Sequence, residues 1–143
     1  MYGEGNPVGR VNAADEDELQ TDLQAGTRDR RYRVRARDDG ERLTAEDIGV
    51  ERLGERATLV QFSSAFCQPC RATRRTLTEV SGMVEGVLHV EVDAEAHLEL
   101  VRRLEVLGTP TVFVLGPDGR VVRRATGQPR KADVIAALGE AVA

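Results

Sequence analysis

Short apolar runs typical of β-strands alternate with segments of helical periodicity from residue 43 onward. The strand-type runs cover residues 58–62, 87–92, 111–115 and 121–125. Between and after them, apolar residues recur at intervals of three and four, the spacing that gives a helix one apolar face. Strands and helices in this order pack with the helices against a shared sheet. The pattern therefore predicts an α/β sandwich with a mixed central sheet.

The helical segments and the last strand pair have recognisable ends. The predicted helices are a short one through Ile48, one from Cys70 to Val84, one that carries Leu98, Val101 and Leu104 and ends at Gly108, and one from Lys131 to Val142. Thr44 with Asp47 three positions later makes a capping box for the first of them. Residues 116–119 have the composition of a hairpin turn, so we expect the last two strands to be adjacent and antiparallel.

The composition is that of one soluble globular domain. The chain has 143 residues, of which 41% are hydrophobic and 31% charged, and it has no Trp, so we expect an aliphatic core. It has neither a run of about 18 apolar residues nor an apolar secretory signal, and its two cysteines provide no framework of structural disulfides. We therefore expect a cytoplasmic protein, either free or tethered to the membrane within a longer natural chain.

Residues 1–40 read as a disordered tail or linker, with the folded domain expected over residues 41–143. They hold only five large aliphatic side chains, too few to offset the entropy of ordering. Their basic block from Arg28 to Arg37 is interpreted as a solvated linker or as a segment drawn to anionic lipid, the single membrane contact that we consider. Alternation between Tyr32 and Ala36 is also compatible with a short edge strand.

The charge distribution argues against nucleic acid as a partner. The net charge is −4, and residues 1–57 carry 14 acidic and 10 basic side chains, so the acidic surplus lies wholly in that part. The rest of the chain is balanced. A nucleic-acid surface needs Lys and Arg gathered on one face, and no such excess exists where the folded domain is expected.

The two cysteines, Cys67 and Cys70, lie between a predicted strand and a predicted helix. The unpaired N–H groups and the dipole at the helix N-terminus favour a thiolate at Cys67, which makes this residue the candidate nucleophile. Cys70 lies one turn further on the apolar stripe, shielded from solvent and placed to resolve a mixed disulfide. Pro69 suits the first turn of a helix and stiffens it. The pair therefore points to thiol-disulfide chemistry.

Two other interpretations of the cysteines stay open. They could be a redox-inert pair, or they could form half of a zinc site together with His89 and His97. The favoured interpretation implies no metal and no bound cofactor.

Four segments in order, TLVQFSSAFCQPCR, HVEVDAE, LGTPTVFVLGPDGRVV and TGQPRKADVIAAL, resemble the thioredoxin family over about residues 43–142. The resemblance implies a thioredoxin-like three-layer α/β/α sandwich. It also implies that Pro110 is preceded by a cis bond and faces the cysteines, so that Thr109 and Pro110 line a groove for an extended peptide. Phe66, Gln68 and Pro69 complete this expected substrate site.

The chain departs from the family's pattern at several positions. Phe66 replaces the usual Trp and Gln68 the usual Gly, which alters the groove and the redox poise. Gln61 stands where the family has a buried aspartate and His89 where it has a lysine, so the family's proton acceptor is missing. His89 is either a structural histidine bonded to Gln61 or part of a proton relay to Cys70. Arg75 replaces a helix-kinking proline, so we expect a straighter helix.

These observations predict a monomeric thiol-disulfide oxidoreductase that exchanges dithiol and disulfide with protein substrates. Its other partner would be an unidentified reductase or oxidant. The alternative is a non-enzymatic module that binds a partner peptide in the groove beside Pro110.

Overall fold

The structure, a computed structural model, describes residues 33–36 and 41–143. The elements, in chain order, are β1 (Arg33–Ala36), β2 (Ala57–Ser63), α1 (Gln68–Met83), β3 (Val87–Asp93), a 3-10 helix (Ala94–Ala96), α2 (Leu98–Leu104), β4 (Thr111–Leu115), β5 (Val121–Thr126) and α3 (Lys131–Val142). The strands and helices predicted from residue 57 onward are therefore present in the predicted order. Among the described helices, none is long and apolar enough to cross a membrane.

The five strands form one mixed sheet in the order β1-β5-β4-β2-β3. Strands β2 and β3 are parallel, whereas β2 with β4, β4 with β5, and β5 with β1 are antiparallel. In the parallel pair, Leu59 is opposite His89 and Gln61 is opposite Glu91. Because side chains alternate between faces along a strand, these four side chains project to the same face of the sheet.

Two apolar clusters cover the two faces of the sheet, which makes the fold the predicted three-layer sandwich. All seven residues of β2 are buried, as expected for a strand covered on both sides. One cluster joins α1 and α3 to the sheet through Ala57, Leu59, Leu77, Val80, Val112, Val114, Val134, Ala137, Leu138 and Ala141. The other packs α2 and the segment before β2 against the opposite face through Leu43, Ile48, Val60, Phe62, Val90, Val92, Leu100, Leu104, Val106, Phe113, Leu115 and Val121.

Strand β1 lies inside the segment expected to be a tail and forms one edge of the sheet. The next described residues continue along β5, since the Val121 N–H donates to the Glu41 carbonyl and the Leu43 N–H donates to the Gly119 carbonyl, each at 2.9 Å. Gly119 has φ +89, and a Cβ there would collide with the Leu43 carbonyl. The remainder of residues 1–40, with most of the basic block, lies outside the described residues, and the start of the folded domain stays a prediction.

The short helix predicted through Ile48 is wrong in extent. The capping box itself forms, because the Thr44 N–H donates to Asp47 Oδ2 at 2.9 Å and the Asp47 N–H donates to Thr44 Oγ1 at 3.0 Å. Only a hydrogen-bonded turn over residues 45–49 follows it. Gly49, with φ +75, leaves the helical conformation before a second turn can offset the cost of nucleation.

Helix α2 ends at Leu104 rather than at Gly108. Glu105 adopts a left-handed conformation with φ 56. The guanidinium of Arg124, on strand β5, donates to the carbonyls of Leu104 at 2.7 Å and of Glu105 at 2.8 Å. These carbonyls would lack partners at a helix end, so a distant residue satisfies the C-terminus and permits the earlier stop.

Candidate active site

The cysteine pair occupies the junction between β2 and α1. Cys67 is the N-cap of α1 and has extended backbone dihedrals, and its sulfur accepts the Cys70 N–H at 3.2 Å. The two sulfurs form a disulfide whose Cα atoms are 5.2 Å apart. Cys67 is partly exposed, whereas Cys70, on the buried stripe of α1, is only 1% exposed. The exposed sulfur is therefore the one that an incoming group can reach.

Phe66 projects into solvent immediately before the pair. Its side chain is 99% exposed and its φ is 59. A residue other than glycine in the left-handed region is uncommon and often belongs to a functional site. The conformation presents an aromatic ring that is adjacent to Cys67 in the chain and contributes nothing to the core. The role of Phe66 in substrate contact stays a prediction.

A second loop, before β4, faces the same sulfur. The Thr109–Pro110 peptide bond is cis, as the resemblance implied. Thr109 Oγ1 lies 2.8 Å from Ser64 Oγ and 3.9 Å from Cys67 Sγ. The Gly127 N–H donates to the Pro110 carbonyl at 2.9 Å. The Thr109 contacts join the proline loop to the segment that leads into the cysteines, and the Gly127 bond holds the same loop to the end of β5.

Leu107 is a candidate site residue that the sequence analysis missed. It is 94% exposed, like few other large apolar side chains in the described part of the chain, and it belongs to the short connection between α2 and the proline loop. The signal in the sequence was a leucine outside the helical stripe and directly before Gly108 and Thr109. Phe66 and Leu107 thus supply one exposed apolar side chain on each of the two loops.

Gln61 lies beneath the pair and is completely buried. Its amide nitrogen donates to the Cys70 carbonyl and to Ser63 Oγ, both at 2.9 Å. Because a carbonyl can only accept, the amide orientation is determined, and Oε1 must face the other way. Gln61 therefore fixes the backbone of the first turn of α1, and its bond reaches the carbonyl of Cys70 rather than the sulfur.

The family model described as Thioredoxin matches residues 47–140, well over half of the chain. The chain belongs to the thioredoxin family. It is 37% identical over 71 residues to thioredoxin domain-containing protein 2 of Homo sapiens, a match that covers 48% of this chain and 13% of the human protein. It is 31% identical over 80 residues to the chloroplastic thioredoxin-like protein CITRX1 of Nicotiana benthamiana, which covers 54% of this chain and 44% of the plant protein.

A solved structure of a mutant thioredoxin from Halobacterium salinarum NRC-1 matches with a TM-score of 0.57 at 17% sequence identity. The match covers 62% of this chain and 77% of that one, and it supports the thioredoxin fold. The chain spans less than half the length of the two curated relatives. The disulfide-bonded Cys67–Cys70 pair lies within the residues that the family model matches.

In this thioredoxin-family chain, His89 lies directly beside Gln61. Its Nε2 is 3.2 Å from Gln61 Oε1 and its Nδ1 is 3.5 Å from Thr78 Oγ1. Since Oε1 only accepts, Nε2 carries the proton and the basic nitrogen is Nδ1, which faces Thr78. Burial lowers the pKa of His89, which favours the neutral ring. This geometry favours the structural interpretation of His89 over the relay to Cys70.

An ion pair extends the same network to the surface. The guanidinium of Arg74 contacts Glu91 through two bonds, at 2.7 and 2.8 Å. Arg74 lowers the pKa of Glu91, and the Ser63 hydroxyl, which also accepts from Gln61, lowers it further by donating to the carboxylate. Glu91 is thus the carboxylate connected most closely to Gln61, although the Ser63 hydroxyl separates the two.

The helix that carries the cysteines runs without interruption from Gln68 to Met83, through the position where Arg75 replaces the family's proline. Its buried stripe consists of Cys70, Thr73, Leu77 and Val80. Three of these side chains are apolar or form the disulfide. Thr73 is polar and fully buried, so the face of α1 that packs against the sheet includes a hydroxyl.

Proposed function

We propose that the chain exchanges dithiol and disulfide with protein substrates, with Cys67 as the nucleophile and Cys70 as the resolving thiol. The observation that carries the proposal is the asymmetry of the pair. Cys67 caps the helix, is partly exposed and accepts an N–H at its sulfur, whereas Cys70 is buried one turn inside. A helix N-terminus favours the thiolate, which is the attacking species in disulfide exchange.

The proposed reduction of a substrate takes place in two steps. The Cys67 thiolate attacks one sulfur of the substrate disulfide, a mixed disulfide forms, and the other substrate sulfur departs as a thiolate that takes up a proton. The Cys70 thiol then loses its proton and attacks Cys67 Sγ, which releases the second substrate thiolate and leaves the Cys67–Cys70 disulfide. Two electrons pass from the protein to the substrate, and the chemistry needs no bound cofactor.

The proposed substrate site is the groove between the two loops. Thr109 and Pro110 would pair with the backbone of an extended peptide, with Phe66, Gln68 and Pro69 on the opposite side. To these we add Leu107 because of its exposure. The exposed apolar side chains favour protein disulfides flanked by apolar residues over small charged disulfides. The regenerating partner is a dithiol reductase, or an oxidant if electrons flow the other way.

We propose that the chain acts as a monomer in the cytoplasm, either free or tethered within a longer chain. One relative named above is chloroplastic by name, so the compartment needs its own measurement. Fractionation of the source cells, followed by detection of the chain with an antibody, tests it. Recovery from an organelle or a membrane fraction would replace the cytoplasmic assignment.

Insulin reduction in the presence of dithiothreitol tests the activity. The wild type should accelerate precipitation of the insulin B chain, and Cys67→Ser should abolish the acceleration. Cys70→Ser should accumulate a mixed disulfide with insulin through Cys67, visible as an added mass that dithiothreitol removes. Cys70→Ser is the matched control, because it keeps the nucleophile and removes only the resolving thiol.

The second candidate is a binding module that turns over rarely. The nearly complete exposure of Phe66 and Leu107 favours it, since two apolar side chains beside a groove can bind a peptide without any exchange chemistry. A wild-type rate of insulin reduction no greater than that of Cys67→Ser would select this candidate. Peptide binding that survives Cys67→Ser but is lost in Leu107→Asp would then identify the groove.

A further inference from the structure

The hydroxyl of Thr73 is buried and has no hydrogen-bond partner. Among the described residues, Thr73 Oγ1 is the buried side-chain atom that lacks one, and the residue is completely inaccessible to solvent. Leaving a buried donor unsatisfied is unfavourable, and such groups in native structures are rare. The hydroxyl lies on the stripe of α1 that carries Cys70, three residues further along.

The Thr73 hydroxyl makes neither of the hydrogen bonds that are usual for a helical threonine. A threonine hydroxyl in a helix ordinarily donates to the carbonyl three or four residues earlier, here those of Cys70 and Pro69. The Cys70 carbonyl accepts from the amide of Gln61 at 2.9 Å and, through the helical ladder, from the N–H of Arg74. The Pro69 carbonyl accepts the N–H of Thr73 in the same ladder and has a second lone pair, but the Thr73 hydroxyl does not donate to it. At the Cys70 carbonyl, Gln61 takes the place that the Thr73 hydroxyl would otherwise fill.

Thr73 and Cys70 lie on the same buried face of α1, one turn apart. Side chains in a helix lean toward its N-terminus, and residues three apart lie one above the other on the same face. The group on this face whose accepting power changes during the proposed reaction is Cys70 Sγ. In the disulfide the sulfur is a poor acceptor, whereas a thiolate accepts a strong, charge-assisted bond.

We propose that Thr73 donates a hydrogen bond to Cys70 Sγ in the reduced protein, so that its hydroxyl takes over part of the role of the missing carboxylate. The inference rests on the proposed function, since it requires a reducible pair. The bond stabilises the reduced form relative to the disulfide and favours loss of the Cys70 proton. Unlike a carboxylate, the hydroxyl does not remove the proton but stabilises the charge left on the sulfur.

The thiol–disulfide equilibrium with glutathione tests this. Two glutathione molecules reduce the pair by giving two electrons and two protons and forming glutathione disulfide, and alkylation followed by mass measurement gives the reduced fraction. Thr73→Val keeps the shape and removes the hydroxyl. It should shift the equilibrium about tenfold toward the protein disulfide, which corresponds to a reduction potential about 30 mV more negative. Thr73→Ser should restore a value near that of the wild type.

A merely structural role for Thr73 predicts a different result. Urea unfolding of Thr73→Val should show unchanged or increased stability in the oxidised form and decreased stability in the reduced form. If a buried water satisfied the hydroxyl, the free energy of unfolding would change equally in the oxidised and reduced forms, and this result would overturn the inference. An unshifted glutathione equilibrium would overturn it as well.

A variant of Gln61 provides a second and independent test of the inference. In Gln61→Leu, the Cys70 carbonyl is free to accept from Thr73, so the hydroxyl should leave the sulfur. Adding Thr73→Val in that background should then shift the glutathione equilibrium by less than twofold, and a full tenfold shift there would contradict the geometry. If the wild type does not reduce insulin, the proposed function fails. If it reduces insulin and Thr73→Val has the glutathione equilibrium of the wild type, only the inference about Thr73 fails.

Discussion

Replacing Gln61 by aspartate restores a carboxyl group to a completely buried position and should make the stability of the protein strongly dependent on pH. The side chain becomes shorter by one methylene and loses the amide nitrogen, together with its bonds to the Cys70 carbonyl and to Ser63 Oγ. The loss of these hydrogen bonds lowers the stability at any pH. The desolvation of an ionised carboxylate lowers the stability only where the carboxyl group is ionised, above its pKa.

The two contributions have different sizes. Two lost hydrogen bonds cost roughly 1 kcal/mol each. A carboxyl buried this deeply has a pKa about 3 above its ordinary value of about 3.9, which is about 4 kcal/mol at neutral pH. Because the folded pKa is raised, the stability is fully present below pH 3.9 and is lost as the pH rises through the folded pKa. Against a total stability of about 5 to 15 kcal/mol, this loss is large.

Urea unfolding of the oxidised proteins between pH 3.5 and pH 8 measures both contributions. Gln61→Asn is the matched control, since asparagine has the size of aspartate and does not titrate. The difference between the two variants should be near zero at the acid end and should grow by about 1.4 kcal/mol per pH unit until the folded pKa is passed. Superimposable pH profiles would refute the reasoning, because they would mean that the site admits water.

The same pair of variants separates a proton acceptor from a structural change in the reaction. Gln61→Asp should resolve the mixed disulfide faster than the wild type near neutral pH, since an ionised carboxylate can take the Cys70 proton. Gln61→Asn should not. Single-turnover release of a peptide thiol after attack by Cys67 measures this step. Equal rates for the two variants would show that the Cys70 proton leaves by another route.

Three further predictions concern the surroundings of the site. His89→Ala should lower stability by about 1 kcal/mol and leave the resolution rate unchanged from pH 6 to pH 8, because its basic nitrogen faces Thr78; slower resolution would restore the relay. Glu91→Gln should cost at most about 1 kcal/mol, given the partial exposure of its pair with Arg74. Since the pKa of Glu91 is lowered, the stability that its ionised carboxylate provides is present above pH 4.5 and is lost as the pH falls through the folded pKa. Urea unfolding of the wild type and Glu91→Gln should show this dependence in the difference between their free energies of unfolding. A difference that persists in acid would exclude the ion pair as its cause. Deleting residues 1–32 should leave the thermal midpoint of unfolding unchanged. Deleting residues 1–40 also removes β1 and should lower this midpoint by a few degrees. Equal midpoints for the two deletions would place the start of the folded domain at residue 41.

Much of the fold and the centre of the site could be predicted because they depend on local sequence. A strand-type run followed at once by Cys67 and a helical stripe defines the junction that carries the chemistry, and the period of the apolar residues decides between strand and helix. The limits of α3, Lys131–Val142, match the prediction. The turn at residues 116–119 follows from its own composition, and it closes the β4–β5 hairpin.

The apolar period did not decide where elements stop when a distant side chain or a residue with positive φ determines the end. Helix α2 ends early because Arg124 reaches its last carbonyls. The turn after Thr44 stays a turn because Gly49 adopts a positive φ. In each case the local signal was present, and a contact or a backbone conformation outside the periodic pattern overrode it.

The pairing of buried polar groups was decided by the tertiary structure alone. The sequence determined that Cys67 precedes a helix, that Gln61 and His89 lie on strands, and that Thr73 occupies a buried stripe, since these follow from spacing along the chain. The hydrogen bonds among these groups depend on two features of the fold. One is the parallel register that places Gln61 opposite Glu91, and the other is the packing of α1 against β2. Register and packing are properties of contacts between segments far apart in the chain. Only the folded protein therefore shows that Gln61 donates to the carbonyl of Cys70 and that the buried Thr73 hydroxyl has no partner.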